Sequence, residues 1–277
     1  MEEPDVISLA ETGATCEVDL QRGGRVAQVV VQGQPLLIDP GPESDRDPQS
    51  TDWGSYPMAP WAGRVRHGRF IFFDRQHQLR PNVDGGHAMH GTVFSRRWTL
   101  DDRSTNTVSM SCRLDQPDSG WSFPGTAHQT IELLDGQLRC DLSIEIDHHA
   151  HSDRDPVVFP GEIGWHPWFV KPDRLVFHPN AMYARDDVGL PTGRLVSPPA
   201  GPWDDCFVNT APVTLEYDRP TAAMITISSD CDHWVVYDMP DHATCVEPQS
   251  GPPDAFTIRP QLVTATHPLR HTMIISW

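Results

Sequence analysis

The sequence has almost no lysine: Lys171 is the only one among 21 basic residues, against 38 acidic residues. The formal net charge of −17 implies a surface that repels phosphate backbones and anionic lipid headgroups. The chain also lacks any run of about 18 consecutive apolar residues, the length that a membrane-spanning helix needs. We therefore predict neither a nucleic-acid partner nor a membrane partner.

Paired cysteines and targeting signals are missing too. The six cysteines are scattered without a Cys-x-x-Cys pair, and several lie in alternating apolar segments, as reduced core cysteines do. No Asn-x-Ser/Thr sequon is present, and residues 1–5 are acidic, without the basic and apolar regions of a signal peptide. These absences predict a cytoplasmic protein with free thiols.

Long helices are disfavoured by the 27 prolines and 20 glycines, which interrupt the chain too often. Short segments instead alternate polar and apolar residues with the period of a strand, most clearly at 107–112 and 137–146. Residues 39–52 are acidic, rich in proline and serine, and predicted to form a loop. With no repeat and no linker in sight, we predict an all-β protein whose residues 1–277 form one antiparallel domain. Further strands are predicted at 24–32, 70–73, 76–79, 213–217, 224–229, 234–237, 262–266 and 273–276.

Two segments rich in proline or glycine carry basic and aromatic side chains. In residues 56–70 the prolines and glycines exclude a regular element from the first half, and a loop that carries Trp61 and Arg64 is typical of binding loops. A solvated basic turn is the alternative. Residues 85–91 place His87 and His90 in a glycine-rich turn, which argues against the helix on which this spacing could chelate a metal.

A third group of histidines, His148, His149 and His151, is interpreted as a solvated turn rather than a metal site. No HExxH motif and no cysteine partner accompanies His87 and His90. We therefore predict no metal site.

His166 stands between two tryptophans in the segment Gly164-Trp165-His166-Pro167-Trp168-Phe169. Aromatic faces beside a proton-carrying imidazole suit a sugar-binding cleft, because a sugar ring can lie on indole while the polar group remains free for chemistry. The alternative is that the two tryptophans and the phenylalanine belong to the core and His166 is a hydrogen-bonded strand residue. The segment alone does not separate these interpretations.

Glu247 ends a predicted strand and is followed by Pro248 and by the sequence Gly251-Pro252-Pro253. A rigid exit from the strand fixes the direction of the carboxylate, as a general base requires. The alternative is a loop carboxylate that caps nearby backbone amides.

Taken together and in this order, these motifs resemble the aldose 1-epimerase (galactose mutarotase) family over about residues 57–256. The resemblance implies a large antiparallel β-sandwich of the galactose mutarotase type, a supersandwich with an open cleft on one face, and it implies no cofactor. The motifs are Arg64 in Pro-Trp-x-x-Arg, His90 before Gly91, His166 in Gly-x-His-Pro-x-Phe, Asp204-Asp205-x-Phe207, and Glu247 in Glu-Pro-x-x-Gly-Pro-Pro-Asp254.

In that family a glutamate takes the proton from the anomeric hydroxyl while a histidine protonates the ring oxygen. The ring opens, the C1–C2 bond rotates, and reclosure gives the other anomer. By position, the resemblance makes Glu247 the base, His166 the acid, and His90 a hydrogen-bonding partner of the ring or C1 oxygen. The residues that it assigns to binding the rest of the sugar are Arg64, Trp168 and Asp204, with Asp205 as the alternative to Asp204.

The sequence departs from the family pattern at two places. Gly63 stands where the family often has asparagine, so one amide contact to the sugar is absent. Trp165 and Trp168 stand where the family usually has other, often smaller residues, which predicts an enlarged aromatic wall around the sugar.

The predicted function is interconversion of the α and β anomers of a free aldohexose such as galactose or glucose. One alternative is an epimerase-like protein for a phosphorylated or modified sugar, with Arg64, Arg66 and Arg69 as a phosphate clamp. Another is a sugar-binding module without catalysis, although such a module does not need both an acid and a base. The partner is in each case a small-molecule sugar, and the oligomeric state, monomer or homodimer, stays open.

Overall fold

The computed structural model describes residues 4–39, 41, 47, 49–147 and 158–277. Its first half contains the strands β1 (Val6–Glu11), β2 (Ala14–Asp19), β3 (Arg25–Val31), β4 (Gln34–Pro35), β5 (Ser55–Met58), β6 (Arg64–Val65), β7 (Arg69–Phe72), β8 (Arg75–Gln78), β9 (Ala88–Met89), β10 (Thr99–Arg103), β11 (Thr107–Arg113), β12 (Gly125–Leu134) and β13 (Gln137–Ile146). Its second half contains β14 (Val158–Gly161), β15 (Gly164–Val170), β16 (Arg174–Val176), β17 (Ala181–Arg185), β18 (Pro191–Val196), β19 (Asp204–Val208), β20 (Val213–Glu216), β21 (Met224–Ser229), β22 (His233–Tyr237), β23 (Ala243–Gln249), the helical turn α1 (Ala255–Ile258), β24 (Gln261–Thr264) and β25 (Leu269–Ser276).

Two large sheets form the body of the molecule. The first has the order β1-β2-β3-β5-β15-β23-β22-β19-β17-β18, with β4 paired to β3, and the second has the order β10-β11-β12-β13-β25-β21-β20-β16. Neighbouring strands within both sheets are antiparallel, and three short two-stranded ribbons lie outside them. The prediction of an all-β antiparallel architecture is confirmed.

The core lies between the two sheets. Along β12 and β13 every second residue is buried, so each strand gives one face to the core and the other to solvent. Trp165 and Phe169 enter the same core from β15 of the first sheet. The indole Nε1 of Trp165 donates a hydrogen bond of 3.3 Å to Oε1 of Gln129 on β12, so a buried polar contact also joins the sheets.

The centre of the first sheet is buried on both faces. Strands β5 and β23 are buried at every position, and β15 at all but its last. Loops cover the second face and enclose a smaller apolar cluster there, which makes this face the floor of a site. The cluster consists of Tyr56, Met58, Ala62, Phe94, Trp168, Ala243 and Cys245.

The expectation that the first half of residues 56–70 is irregular is wrong, because β5 extends to Met58. β5 pairs with β3 only at Ser55 and continues along β15 alone. Beyond Ser55 one edge of β5 has no neighbouring strand in the described part of the chain, so the backbone groups on that edge need no hydrogen-bond partner in the ladder. Pro57, which has no N–H, therefore fits in the strand.

Other predictions from the sequence can be compared directly. All six cysteines are buried and unpaired, as predicted. The described residues of the segment 39–52 contain no helix or strand, in agreement with a loop. His148, His149 and His151 lie outside the described residues. Of the helices that the structure describes, none is long and apolar enough to cross a membrane.

Candidate active site

A cleft with a volume of about 250 Å³ opens over the centre of the first sheet, on the face that points away from the core. It crosses strands β15, β23, β22 and β19, and loops form its walls. Every site residue predicted from the sequence lines this cleft, namely Arg64, His90, His166, Trp168, Asp204, its alternative Asp205, and Glu247.

His166 on β15 and Glu247 on β23 face each other in the floor of the cleft. Nε2 of His166 lies 3.2 Å from Oε1 of Glu247, and the two side chains are 9% and 3% exposed. The next residues along each strand, Pro167 and Pro248, have no N–H to donate. The β15–β23 ladder is regular on both sides of this point and interrupted here. The register is the same on both sides of the interruption, so the acid–base candidates lie directly opposite each other.

Glu247 does not end its strand, contrary to the expectation, because β23 continues through Pro248 to Gln249. Pro248 lies in the interruption of the ladder, so its missing N–H removes no bond to β15. The direction of the carboxylate is therefore fixed by a continuous strand rather than by a rigid exit.

Gln249 is a site residue that the sequence reasoning missed. Its Nε2 donates a hydrogen bond of 3.2 Å to Oε2 of Glu247, and both side chains are buried. Residues two apart on a strand share a face. The predicted strand ended at Glu247. A strand predicted to continue past Pro248 would have placed Gln249 on the same face as Glu247.

The electrostatics of the pair favour its uncharged form. Burial, reinforced by the negative charge of Asp204, raises the pKa of Glu247 well above its ordinary value. Burial, reinforced by the cations Arg25 and Arg64, lowers the pKa of His166 to about 3. Because a buried site penalises charge on both groups, both shifts favour a pair whose shared proton is on the carboxyl, beside a neutral imidazole.

Tyr56 on β5 supports both histidines of the site. Its ring stacks on His166 at 4.9 Å between centroids, with 24° between the planes, and meets the edge of His90 at 5.7 Å. His90 in turn lies edge-on to His166 at 5.0 Å. A Cβ on the next residue, Gly91, would lie 1.9 Å from the carbonyl oxygen of Ala59, so only glycine fits after His90.

Arg64 reaches the cleft from β6 without a carboxylate within 4 Å among the described residues. Its backbone oxygen accepts a hydrogen bond of 2.8 Å from the amide of Asp254, which fixes the strand. The preceding Gly63 has φ +59°, and a Cβ there would lie 2.8 Å from the ring of Pro253. Pro253 therefore occupies the space that a side chain at position 63 would need.

A buried carboxyl group, which the sequence reasoning also missed, holds the same loop from below. Oε2 of Glu162 accepts a hydrogen bond of 3.1 Å from the amide of Ala62, and burial raises the pKa of Glu162 well above its ordinary value. The sequence indicates a role for Glu162 only by placing this polar residue inside an otherwise apolar segment.

On the far wall of the cleft, Asp204 and Asp205 differ in exposure and in their distance from Arg185. Oδ1 of Asp205 lies 2.9 Å from Nε of Arg185, and its side chain is 11% exposed. The Asp204 side chain is 44% exposed and lies 3.5 Å from the same guanidinium. The register pairs Asp204 with Tyr237, which lines the cleft as well. Asp204 thus presents an open carboxylate, while Asp205 neutralises Arg185, a lining residue without any sequence signal.

Two interpretations of the segment around His166 were made from the sequence, a sugar-binding cleft and a core strand, and each holds for some of its residues. Trp168 lines the cleft and stacks on His166 at 5.6 Å, with 12° between the planes. Trp165 and Phe169 lie in the core between the sheets. The prediction that Trp165 joins an aromatic wall is wrong, because alternate residues of a strand point to opposite faces.

The phosphate clamp predicted as an alternative is not assembled. Arg66 binds Oδ2 of Asp186 at 2.6 Å, and Nε of Arg69 donates to Oε1 of Gln78 at 2.9 Å. Neither arginine lines the cleft, so Arg64 stands there without the other two.

Among the residues that the structure describes, potential metal-ligating groups do not gather around His87 and His90. His87 stacks on His67 at 5.2 Å instead. The described residues contain two groups with donor atoms within 4.8 Å of one another, His166 with Cys245 and Glu247, and Asp230 with Cys231 and His271. Burial raises the pKa of both thiols, which opposes formation of the thiolate that zinc binds. We assign no metal to either group.

The fold is similar to those of several solved structures. A galactose mutarotase-like protein from Clostridium acetobutylicum superposes with a TM-score of 0.81 over 98% of this chain and 94% of that chain, at 13% identity. The GalM/aldose epimerase homologue from C. elegans gives a TM-score of 0.77 over 98% of both chains, at 16% identity. The predicted galactose mutarotase type of β-sandwich is therefore confirmed.

Sequence comparison gives a relative and a family. The uncharacterized protein YphB of Escherichia coli (strain K12) is 27% identical over 154 residues, which is 55% of this chain and about half (48%) of YphB. Residues 5–276 match the model of the family described as aldose 1-epimerase. Since that match covers nearly the whole chain, this protein belongs to the aldose 1-epimerase family.

Proposed function

We propose that this protein is an aldose 1-epimerase that interconverts the α and β anomers of a free aldohexose. The observation that carries the proposal is the direct contact of 3.2 Å between His166 and Glu247, buried together in the floor of a cleft. The two groups have the chemistry that anomer interconversion needs, a proton acceptor and a proton donor within reach of one bound ring. The family match supports the class of reaction.

The pair performs the proposed reaction by taking one proton from the sugar and giving another to it. Passage of the resting proton from Glu247 to His166 gives a carboxylate beside an imidazolium. Glu247 then takes the proton of the O1 hydroxyl while His166 protonates the ring oxygen, and the C1–O5 bond breaks to give the aldehyde. This step returns the pair to the carboxyl–imidazole form in which it started, so ring opening leaves no net change of charge on the buried pair. Rotation about C1–C2 and the reverse transfers close the other anomer.

The remaining lining residues are proposed to bind the sugar. Trp168 offers its indole to a ring face, Asp204 accepts hydrogen bonds from hydroxyl groups, and Arg64 donates to them. His90 is proposed to hydrogen-bond the ring or C1 oxygen. Since these residues belong to one sheet and its loops, we also propose that residues 1–277 act as a single domain.

The charges of the cleft favour a neutral sugar over a phosphorylated one. Of the two arginines that line it, Arg185 is paired with Asp205, and Arg64 is the one without a carboxylate within 4 Å in the described part of the chain. Three carboxyl groups, Asp204, Asp205 and Glu247, face the same space. A phosphate dianion would gain one cation there and meet acidic neighbours.

Polarimetry of freshly dissolved α-D-galactose and α-D-glucose tests the proposal. We expect the protein to accelerate the approach to anomeric equilibrium above the spontaneous rate with at least one of these sugars. If neither reaction is accelerated but a sugar phosphate is, the free-aldohexose proposal is wrong. If no sugar reacts, the protein is a binding module.

Replacing Arg64 by alanine should mainly weaken substrate binding. A lost charge-assisted hydrogen bond is worth about 1.5–3 kcal/mol, so KM should rise by about tenfold to a hundredfold while kcat changes little. Arg69→Ala, outside the cleft, is the matched control and should leave both constants unchanged. A fall in kcat at constant KM would assign Arg64 to the transition state instead.

A further inference from the structure

Arg25 on β3 is a fully buried cation that the proposed reaction does not use. Its side chain has no carboxylate within 4 Å in the described part of the structure and binds backbone carbonyl groups instead. Nε donates to the oxygen of Arg22 at 2.7 Å, and the two Nη atoms donate at 3.2 Å to the oxygens of Ser50, Trp53 and Phe94. Burial lowers the pKa of Arg25 to about 10, so it stays charged at neutral pH. The carboxylates of Asp19 and Asp52 offset part of the cost from a longer distance, but a buried charge without a direct ion pair is still costly, which suggests a use.

The guanidinium group lies directly beneath the active-site floor. Its central carbon is 4.1 Å from the ring centroid of Trp53 and 5.0 Å from that of Tyr56. The same Tyr56 ring stacks on His166 at 4.9 Å. These distances place the cation within about 10 Å of the imidazole, and the phenol ring that both contact is fully buried. Water therefore screens the interaction little.

We infer that Arg25 is a positioning residue for His166: it holds Tyr56 against the imidazole, and its charge makes the imidazolium a stronger acid toward the ring oxygen. The catalytic consequence rests on the proposed epimerase function. The electrostatic effect on His166 does not depend on it, so the two can be tested separately.

The other titratable groups that face His166 cannot supply the same effect. Glu247 shares the proton with His166, and the pKa of the Cys245 thiol is raised by burial, so that thiol is neutral. Burial lowers the pKa of His90 well below its ordinary value, so that ring is neutral too. The phenol of Tyr56 is kept protonated by a pKa raised through burial. Arg64 is a cation, but its exposed side chain is screened by water.

The expected size of the effect follows from Coulomb's law. At about 10 Å and an effective dielectric constant of about 20, one positive charge shifts the pKa of an imidazole by about one unit. Without the charge of Arg25, the imidazole of His166 should therefore protonate at a pH about one unit higher. The same change makes the imidazolium easier to form from the resting pair and a weaker acid once it is formed, so the two effects on kcat oppose each other. The titration of His166, rather than kcat, therefore tests the inference.

The test is an NMR titration of the protein labelled with ¹³C at histidine Cε1, with the His166 signal assigned from His166→Asn. Arg25→Gln removes the charge but keeps two N–H donors, and Arg25→Met is a second neutral variant. At pH 4 we expect about a tenth of the His166 imidazole to be protonated in the wild type and about half in these variants. Arg25→Lys, which keeps the charge, should titrate like the wild type.

Gln28→Met is the control for a purely structural effect. Gln28 lies on the same strand, is buried, and makes four hydrogen bonds to backbone groups, none of them to Tyr56. It should lower stability and leave the His166 titration unchanged. The inference is overturned by an unchanged titration in Arg25→Gln or by an equal shift in Gln28→Met. It is also overturned if both neutral variants fail to fold while Arg25→Lys folds, since Arg25 then serves stability alone. A wild type without epimerase activity but with these shifts would remove the proposed function and keep the electrostatic role.

Discussion

Replacing Glu247 by glutamine should lower the kcat of anomer interconversion by about 10²–10⁴-fold, the usual contribution of a general base. Glutamine has the same shape and can still accept the hydrogen bond of Gln249, but it cannot take the proton of the O1 hydroxyl. The melting temperature should not fall, because burial already favours the uncharged form of this side chain.

The chain contains a matched control for this substitution. Glu145 on β13 lies 3.1 Å from Nε2 of His128, so a second glutamate–histidine pair exists on the other sheet. Its side chains are 38% and 41% exposed and lie outside the cleft. Glu145→Gln should therefore leave kcat unchanged in the same polarimetric assay. Near-normal activity of Glu247→Gln would remove Glu247 from the mechanism.

Strand content was predictable from the sequence because it depends on local pattern, and the short motifs already name side chains that the fold gathers in the cleft. A period of two in residues 137–146 shows which face of β13 enters the core, and the structure buries that face. The motifs around Arg64, His166 and Glu247 are short, and each residue keeps its place relative to a nearby strand. The sheet then brings the three into one cleft.

What the sequence did not reveal depends on contacts between distant strands. Strand β23 continues through Pro248 because the ladder to β15 is interrupted there. Pro167 of β15 lies in the same interruption. Neither residue indicates this by itself. Arg185 lines the cleft through the register of β17 beside β19, which no local pattern encodes.

The role of Arg25 was hidden for a related reason. An arginine at the start of a strand is normally a surface residue, and nothing in the sequence near it indicates burial. Its four carbonyl partners come from three separate segments, at Arg22, at Ser50 and Trp53, and at Phe94. Only the folded chain brings these carbonyls together.

Replacing His166 by asparagine should also lower kcat by about 10²–10⁴-fold, because asparagine cannot deliver a proton to the ring oxygen. His128→Asn, in the exposed pair on the other sheet, is the matched control and should keep full activity. The more informative variant is the double substitution Glu247→Gln/His166→Asn.

The two residues are proposed to move one proton between them, so either single substitution already stops the cycle. We therefore expect the double variant to lose about as much kcat as each single variant, a strongly non-additive result. Losses that multiply would mean that Glu247 and His166 act independently of each other and that their 3.2 Å contact has no part in the mechanism. Equal losses in all three variants, with KM little changed, would identify the pair as a single proton-transfer unit.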